Sequence, residues 1–274
     1  MTKSRYPAFP YLIFMVIFIV VPLLFVAYYA FTSLDGGFTL DNIARVESYI
    51  PVIIKSIYLA MIATIICLVL GFPFAYLMAK KTSNARRTMF MLIMLPMWMN
   101  FLLRTYAWMT ILENNGLINR FLALFGIGPL SLINTQGAVI LGMVYDYLPF
   151  MIIPLYSILL KMDQSLVQAA QDLGANPFQV FTKVILPLST PGISTGITMV
   201  FIPSVSTFII SRMLGGGGEL MIGDLIEMQF TGNTYNLNLG AAISFVLMVI
   251  ILLSMGILNQ FDSDENEKDG RVVV

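Results

Sequence analysis

The stretch that decides the fold is Gln168–Pro187, which reads QAAQDLGANPFQVFTKVILP. Apolar residues recur at three and four positions up to Leu173, and Gly174 follows where a helix C-cap prefers a left-handed residue. Asn176 can then cap a second helix that has Pro177 at its first position. At about ten residues, each piece is too short to cross a hydrocarbon core, which takes about 20 residues of helix. We therefore expect both pieces to lie at a membrane surface or on a partner protein.

The rest of the chain is strongly apolar. Of its 274 residues, 58% are hydrophobic and only 11% are charged, whereas roughly a quarter of the residues in a soluble domain are charged. The formal net charge is zero, so no basic field favours nucleic acid as a partner. This composition predicts an all-α integral membrane protein, because helices satisfy their own backbone hydrogen bonds in lipid.

Several classes of catalytic and metal site are excluded by residues that the sequence lacks. There is no histidine, and Cys67 is the single cysteine, which removes histidine triads, zinc-protease motifs and cysteine clusters. Gly215–Gly218 is followed by Glu219, so it cannot place a lysine on nucleotide phosphates. We expect no enzymatic activity, no metal and no cofactor in this chain, and any ATP with its Mg²⁺ must be bound by a partner.

Apolar runs predict six spanning helices. The first contains Pro22, which predicts a kink, and the end of the fifth carries Arg212. A polar external loop follows the first span, and a glycine-rich external loop precedes the sixth. The predicted spans are approximately Phe9–Phe31, Pro51–Ala79, Thr88–Leu112, Gln136–Leu160, Leu188–Arg212 and Leu237–Asn259. These divide the chain into a first helix with its external loop (1–50), a core of five helices (51–260) and a solvated, disordered acidic tail (261–274).

The basic residues predict the orientation of the spans. Lys80–Arg87 carries four basic residues in eight positions, which places this short loop in the cytoplasm. Ten of the fifteen Lys and Arg residues fall on the same side when six spans alternate. Both termini are then cytoplasmic, and so is the loop 161–187 that contains the deciding stretch.

That stretch resembles the cytoplasmic loop of ABC importer permeases, whose signature is E-A-A, three residues, Gly, nine residues, Ile, one residue, Leu-Pro. The spacing is kept here, with Val184 in the isoleucine place and Gln168 in the glutamate place. The resemblance implies the type I ABC importer permease fold, with this loop as a coupling helix that docks on an ATPase and turns its alanines outward. The residues implied to couple are Gln168, Ala169, Ala170, Asp172, Gly174, Pro177, Phe178, Leu186 and Pro187. Pro187 is expected to end the second helix of the loop, because it cannot continue the hydrogen-bond ladder. The alternative to a coupling role is an interfacial helix that only anchors the fourth and fifth spans.

Other segments are similar to those of spermidine/putrescine permeases over about residues 51–259. They are Pro96–Trp108, Tyr145–Tyr156, Phe201–Pro203, Leu214–Gly216, Ile222–Ile226 and Gln229–Phe230. Ser206–Phe208 and Arg212 depart from that pattern, since relatives often carry acids there.

The resemblance implies a polyamine permease subunit in a bacterial inner membrane, surrounded by lipid. Its implied partners are an ATPase dimer, a second permease and an extracytoplasmic binding protein. A permease for another solute, such as ferric iron, sulfate or an amino acid, is an alternative. An ion-driven secondary transporter or channel is another.

The candidate substrate path centres on Asp146, the only acid within a predicted span. Charged groups inside a bilayer usually face a cavity or a partner, and aromatic faces attract cations. The candidate path residues are Trp98, Asn100, Tyr106, Trp108, Tyr145 and Asp146. Two alternatives remain open: Asp146 can pair with Arg104 as a structural bridge, and the aromatic residues can form an interfacial belt. Asp224 and Glu227 are expected to be solvated loop charges or a rim for the binding protein.

Overall fold

The structure, a computed structural model, describes residues 9–33, 35–232 and 235–269, and all of its regular elements in these ranges are helices. The α-helices are α1 (Phe9–Met15), α2 (Val21–Ala30), α3 (Asp41–Val46), α4 (Ile50–Ala79), α5 (Ser83–Met94), α6 (Phe101–Leu112), α7 (Leu117–Ala123), α8 (Gln136–Lys161), α9 (Gln164–Asp172), α10 (Pro177–Val180), α11 (Leu186–Leu188), α12 (Thr190–Ser206), α13 (Ile209–Leu214), α14 (Ile222–Thr231) and α15 (Leu237–Asp269). Short π-helical segments cover Val16–Val20 and Phe181–Ile185, and 3₁₀ turns cover Glu47–Tyr49 and Leu95–Trp98.

The described ranges contain four helices that are long and apolar enough to cross a membrane, and six spans if each of two bent helix pairs forms one span. The four are Pro10–Ala30, Asp41–Ala79, Gln136–Lys161 and Leu237–Gly256. The second begins at Asp41 rather than near Pro51, because α3 and a 3₁₀ turn continue directly into α4. The prediction of an all-α membrane protein is confirmed.

The first span is continuous through Pro22, as expected, but its helical geometry changes just before the proline. Pro22 has no N–H to give to the carbonyl of Phe18, and a π-helical segment covers Val16–Val20 there. A π-segment is a common way for a helix to absorb such a missing bond. The large side chains of this span, such as Phe14 and Phe18, are more than half exposed, which fits a surface facing lipid.

The third span is not the single helix that the sequence predicted. α5 with its 3₁₀ turn and the α6–α7 unit meet at 90°. Pro96 lies in the 3₁₀ turn, Met99 is extended, and the side chain of Asn100 starts α6 by accepting a hydrogen bond from the N–H of Leu102 at 2.8 Å. A proline followed by a capping residue ends one helix and starts another. This apolar run therefore bends sharply instead of crossing straight.

The fifth span is also shorter and more broken than predicted. α12 ends at Ser206, Thr207 is extended, and Arg212 belongs to the separate helix α13. At the other end, α12 meets the preceding Pro177–Leu188 segment at 66°. The region after α13 was expected to be a loop up to the sixth span, but it contains the helix α14. The residues that recur there at helical spacing are Ile222, Leu225, Ile226 and Gln229.

The last helix extends beyond its predicted end. α15 runs to Asp269, whereas the sequence analysis expected a disordered tail from 261. Residues 260–269 contain no glycine or proline and include Gln260, Glu265, Glu267 and Lys268, which are good helix formers. The backbone can therefore continue the helix of the sixth span past its apolar part.

The core lies where α4, α8 and α12 pack against one another. Met151 of α8 is fully buried at their centre. A Cβ on Gly71 of α4 would lie 3.1 Å from its Cγ, and a Cβ on Gly196 of α12 would lie 2.6 Å from its sulfur. Glycine at these positions allows the three backbones to approach closely, which is how helices associate in lipid. A second cluster joins α2, α3, α14 and α15 to the other side of α4 and α12.

We predict that Gly223→Ala destabilises the chain by about 2 kcal/mol, because an added Cβ meets backbone that cannot rotate away. The Cβ would collide with the carbonyl oxygen of Ser206 and lie 2.6 Å from that of Thr207. The thermal unfolding midpoint in detergent measures the effect. Gly256→Ala is the matched control, because its Cβ meets open space within α15. An equal midpoint for the two variants would contradict the close packing of α14 on the end of α12.

Candidate functional site

The Gln168–Pro187 stretch forms the helix, turn and helix that its sequence predicts. Asp163 caps α9 by accepting a hydrogen bond from the N–H of Ser165 at 2.9 Å, and this bond lowers the pKa of the exposed carboxyl. After α9, Gly174 adopts φ +83°, the left-handed conformation that glycine tolerates without strain. Asn176 and Gln179 then form a reciprocal capping box at the start of α10. The turn is thus fixed at three successive points.

The loop is anchored to the spanning helices by one face. Val167 and Ala170 of α9 pack against the core cluster. Phe181 meets the ring of Phe72 on α4 edge to face, with centroids 5.4 Å apart. Val180 is almost completely buried. The loop is therefore packed against the end of α4 that carries Phe72.

The opposite face of the loop is exposed and partly apolar. The side chain of Leu173 is 89% exposed and that of Phe178 is 73% exposed. Gln168, Ala169 and Asp172 are exposed beside them. Ala170 does not face outward as predicted, since it packs inward one position round the helix from Ala169. Large apolar residues held in water at a sharp turn are typical of a surface that binds a partner.

The sequence analysis expected Pro187 to end the second helix, and this prediction is wrong. The chain continues through the π-helical segment Phe181–Ile185 and α11, and the bend falls at Ser189. The hydroxyl of Ser189 donates to the carbonyl of Ile185 at 2.6 Å. Pro187 lies at the start of α11, a position that tolerates a missing N–H. Leu186 and Pro187 are exposed at this junction.

Asp146 and Arg104 lie together inside the bundle. Arg104 on α6 places its Nε 3.4 Å from Oδ1 of Asp146 on α8, with the two side chains 8% and 2% exposed. Removing two charges from solvent is costly unless they are paired. This geometry matches the structural bridge that the sequence analysis held as an alternative. The role of Asp146 in a substrate path stays a prediction.

The aromatic candidates do not converge on Asp146 as one group. Trp108 and Tyr145 form an edge-to-face pair with centroids 5.4 Å apart. Trp98 is 83% exposed and Tyr106 is also more than half exposed. Asn100 caps α6. Of these candidates only Tyr145, with Trp108 packed on its ring, is adjacent in sequence to Asp146. The outward position of Trp98 and Tyr106 fits the alternative of an interfacial belt.

A second charged cluster, called the outer cluster below, lies at the end of the bundle opposite the Gln168–Pro187 loop. Asp224 was expected to be a solvated loop charge, but it is 1% exposed. Its Oδ2 accepts hydrogen bonds from the Ser211 hydroxyl at 2.6 Å and from the Met221 N–H at 2.9 Å. Arg212 lies 3.8 Å from its Oδ1 and also pairs with Glu227. The helical spacing of apolar residues from Ile222 onward is the signal that could have revealed this burial.

The electrostatics of this cluster follow from burial and pairing. Burial raises the pKa of the Asp224 carboxyl, and the hydrogen bonds from Ser211 and Met221 offset only part of that rise. The hydrogen bond from Arg212 lowers the pKa of Glu227, with a smaller contribution from the Thr231 hydroxyl. Nearby, Lys55 of α4 forms an ion pair with Glu219. The cluster therefore holds one deeply buried carboxylate among partners nearer the surface.

Comparison with known families agrees with this architecture. The model of the family described as "Binding-protein-dependent transport system inner membrane component" matches residues 71–264. The chain belongs to this family. The match begins at Gly71 within α4 and includes the Gln168–Pro187 loop, the Arg104–Asp146 pair and the outer cluster.

Individual relatives are similar over almost the whole permease. The spermidine/putrescine transport system permease protein PotB of Salmonella typhimurium strain SL1344 is 39% identical over 251 residues, covering 88% of this chain and 87% of that protein. The PotB of Haemophilus influenzae is 40% identical over 255 residues, covering 89% and 88%. The inner membrane ABC transporter permease protein YdcU of Escherichia coli K12 is 32% identical over 244 residues, covering 83% and 77%.

Among solved structures, a chain of a bacterial ABC transporter involved in the import of the acidic polysaccharide alginate superposes with a TM-score of 0.80. The alignment covers 96% of each chain at 16% identity. At that identity the likeness shows the fold alone. The permease therefore has the ABC importer permease architecture, in agreement with the resemblance of its Gln168–Pro187 loop to the corresponding loop of those permeases.

A double-variant cycle tests the Arg104–Asp146 pair. We predict that Arg104→Met or Asp146→Leu alone destabilises the permease by about 3 kcal/mol, because each leaves a buried charge without its partner. The double variant should recover most of that loss, since it removes both charges. Unfolding midpoints in detergent measure all four proteins, and purely additive losses would contradict the pairing. Substrate uptake by the double variant separates a structural bridge, which tolerates it, from a substrate contact, which does not.

Proposed function

We propose that this chain is the membrane-spanning subunit of an ATP-driven importer for polyamines such as spermidine and putrescine. The observation that carries the proposal is the 39–40% identity with PotB proteins of two organisms over nearly nine-tenths of the chain. Family membership alone supports a transport role, but not a substrate. Similarity that extends through the loops, α6 and α8 supports a shared substrate class.

The proposed assembly contains a second, PotC-like permease, a dimer of ATPase subunits and an extracytoplasmic binding protein. Two solved structures of similar chains support it by their descriptions: one is an alginate transporter in complex with a substrate-bound periplasmic protein, and another is the methionine transporter MetNI, with TM-scores of 0.77 and 0.58. ATP and Mg²⁺ would be bound by the ATPase subunits. In this proposal the permease itself catalyses no covalent step.

The loop around α9 is the proposed coupling element. ATP binding would close the ATPase subunits and draw the two coupling loops together, which switches the cavity from inward to outward facing. Leu173 and Phe178 present the apolar contact surface, while Val167 and Phe181 connect it to the core. Gln168 is exposed at the edge of that surface and can give a hydrogen bond where a glutamate would give a charge.

Orientation and division of the chain follow the same proposal. The basic residues at Lys80–Arg87 support a cytoplasmic position for the α4–α5 connection, α9 and both termini in a bacterial cell. Residues 1–50 would then form a first helix with its external segment, 51–260 the permease core, and 261–274 an acidic cytoplasmic tail. The outer cluster around Asp224 falls on the opposite, extracytoplasmic side.

We predict that the complete transporter in proteoliposomes accumulates radiolabelled spermidine or putrescine only with ATP inside and with its binding protein outside. Uptake should exceed that of sulfate, ferric iron or amino acids, because ammonium groups define the substrate class. Transport by this chain without an ATPase would instead support an ion-driven carrier or channel. Equal or greater uptake of another of these solutes would contradict the polyamine assignment.

We also predict that Leu173→Asp and Phe178→Asp each abolish capture of the ATPase by the permease in a detergent pull-down. A carboxylate at the centre of a desolvated apolar contact costs several kcal/mol. Leu124→Asp is the matched control, because Leu124 is 80% exposed on the other side of the bundle. Capture at wild-type levels by both loop variants would refute docking through this surface.

A further inference from the structure

A cavity of about 390 Å³ opens beside the outer cluster, between α13 and α14. Its polar lining comes from Ser211, Arg212, Glu219 and Asp224. The volume falls within the range of about 300–1,000 Å³ typical of small-molecule sites. The cavity is separate from the Arg104–Asp146 pair, whose residues do not line it.

The buried carboxylate of Asp224 is only half satisfied. Its Oδ2 accepts two hydrogen bonds, but its Oδ1 is buried and accepts none from any residue in the described ranges. Arg212 approaches Oδ1 no closer than an ion pair of 3.8 Å, which is too long for a hydrogen bond. A buried acceptor without a donor requires an explanation, and this one belongs to a residue that lines the cavity.

The side chain of Arg212 is placed so that it can move away from the Asp224 carboxylate. Its side chain is 48% exposed, and its short hydrogen bond goes to Glu227, not to Asp224. Lys55, the other cation nearby, is already paired with Glu219. Arg212 alone therefore faces two carboxylates, Asp224 and Glu227, and it can stay on Glu227 while the Asp224 side opens.

We propose that this cavity binds one ammonium group of a polyamine on its way into the permease, with Asp224 as the acceptor and Arg212 as the cation that the ligand displaces. This inference rests on the proposed function for the identity of the ligand. A primary ammonium carries three N–H donors on a compact charge. Once Arg212 has withdrawn and uncovered the buried Oδ1, the ammonium can approach it more closely than the 3.8 Å at which the guanidinium stands. Arg212 keeps the site neutralised until the ligand arrives.

The test is equilibrium binding of radiolabelled putrescine to the assembled transporter in nanodiscs, without the binding protein. Arg212→Gln should tighten binding roughly fivefold, because the carboxylate loses its resident competitor. Asp224→Asn should weaken binding at least about tenfold, because the charged acceptor is lost. Arg120→Gln and Glu113→Gln are matched controls with the same charge changes at exposed positions at the same end of the bundle, and they should bind as wild type does.

Glu227→Gln covers the case in which Asp224→Asn fails to fold. Without Glu227, Arg212 is free to turn wholly to Asp224, so putrescine binding should weaken although Asp224 is intact. Opposite effects of Arg212→Gln and Glu227→Gln cannot arise from a general loss of structure. Binding within twofold of the controls for both variants would overturn the proposal.

The outcomes separate this site from the proposed function. If the wild-type transporter takes up polyamine but Arg212 and Glu227 variants bind putrescine as the controls do, the site is wrong and the function stands. If wild-type uptake fails but putrescine binding still responds in opposite directions to the two variants, the cation site stands and the function is wrong. 1,4-Butanediol, which has the same chain without ammonium groups, should not compete with putrescine at this site.

Discussion

The close approach of α4, α8 and α12 around Met151 is the constraint on which the rest of the structure depends. Helices in lipid gain little free energy by burying apolar surface, because lipid tails are as apolar as the side chains. Their association therefore rests on packing and on a few polar contacts. Gly71 of α4 and Gly196 of α12 allow both helices to approach the same methionine closely. Because these three helices form one tightly packed unit, the segments attached to their ends are held in fixed relative positions.

That unit connects the two ends of the molecule. At one end of α4, Phe181 packs on Phe72, so the Gln168–Pro187 loop is joined to the core by aromatic contact and not only by the chain. At the other end, the N–H of Ile222 donates to the hydroxyl of Ser56 on the same α4 at 2.8 Å. α4 thus contacts both this loop and the segment that carries Asp224. A rigid helix joining two such segments is a physical route by which a change at one can bias the other.

Much of the fold was predictable because apolar length and charge position depend on local sequence. Span four was close to its observed bounds and span two ended at Ala79 as expected, although it begins earlier, at Asp41. Gly174, Asn176 and Pro177 correctly marked the turn after α9. The predictions were wrong at positions where the local preference of a single residue and the packing of the folded chain favour different structures. Pro96 and Asn100 turned an apolar run by 90°, and Pro187 was tolerated because it begins a helical turn.

The burial of Asp224 was not predicted, because a charge after four glycines looks solvated, and its burial depends on α12 and α13 packing over it. The pairing of Arg104 with Asp146 was foreseeable only as one of two alternatives, since sequence gives the depth of a residue but not the direction in which it faces.

The two buried carboxylates differ in how their cations are held, and this difference bears on which can exchange a partner. Arg104 and Asp146 are both buried, at 8% and 2% exposure, so neither side chain can turn out into solvent without a change in the packing around the pair. Arg212 is half exposed while Asp224 is not, so this guanidinium can withdraw without any helix moving. The helix that carries Arg212, α13, itself packs on both α6 and α8, with Ile210 and Leu214 closing over Gly142 of α8. A ligand that displaces Arg212 therefore acts first on the helix in contact with both elements of the inner pair. Exchange of the cation at the Asp224 carboxylate therefore requires the smaller structural change. Rearrangement of the Arg104–Asp146 pair needs the larger motion that ATP-driven closure can supply.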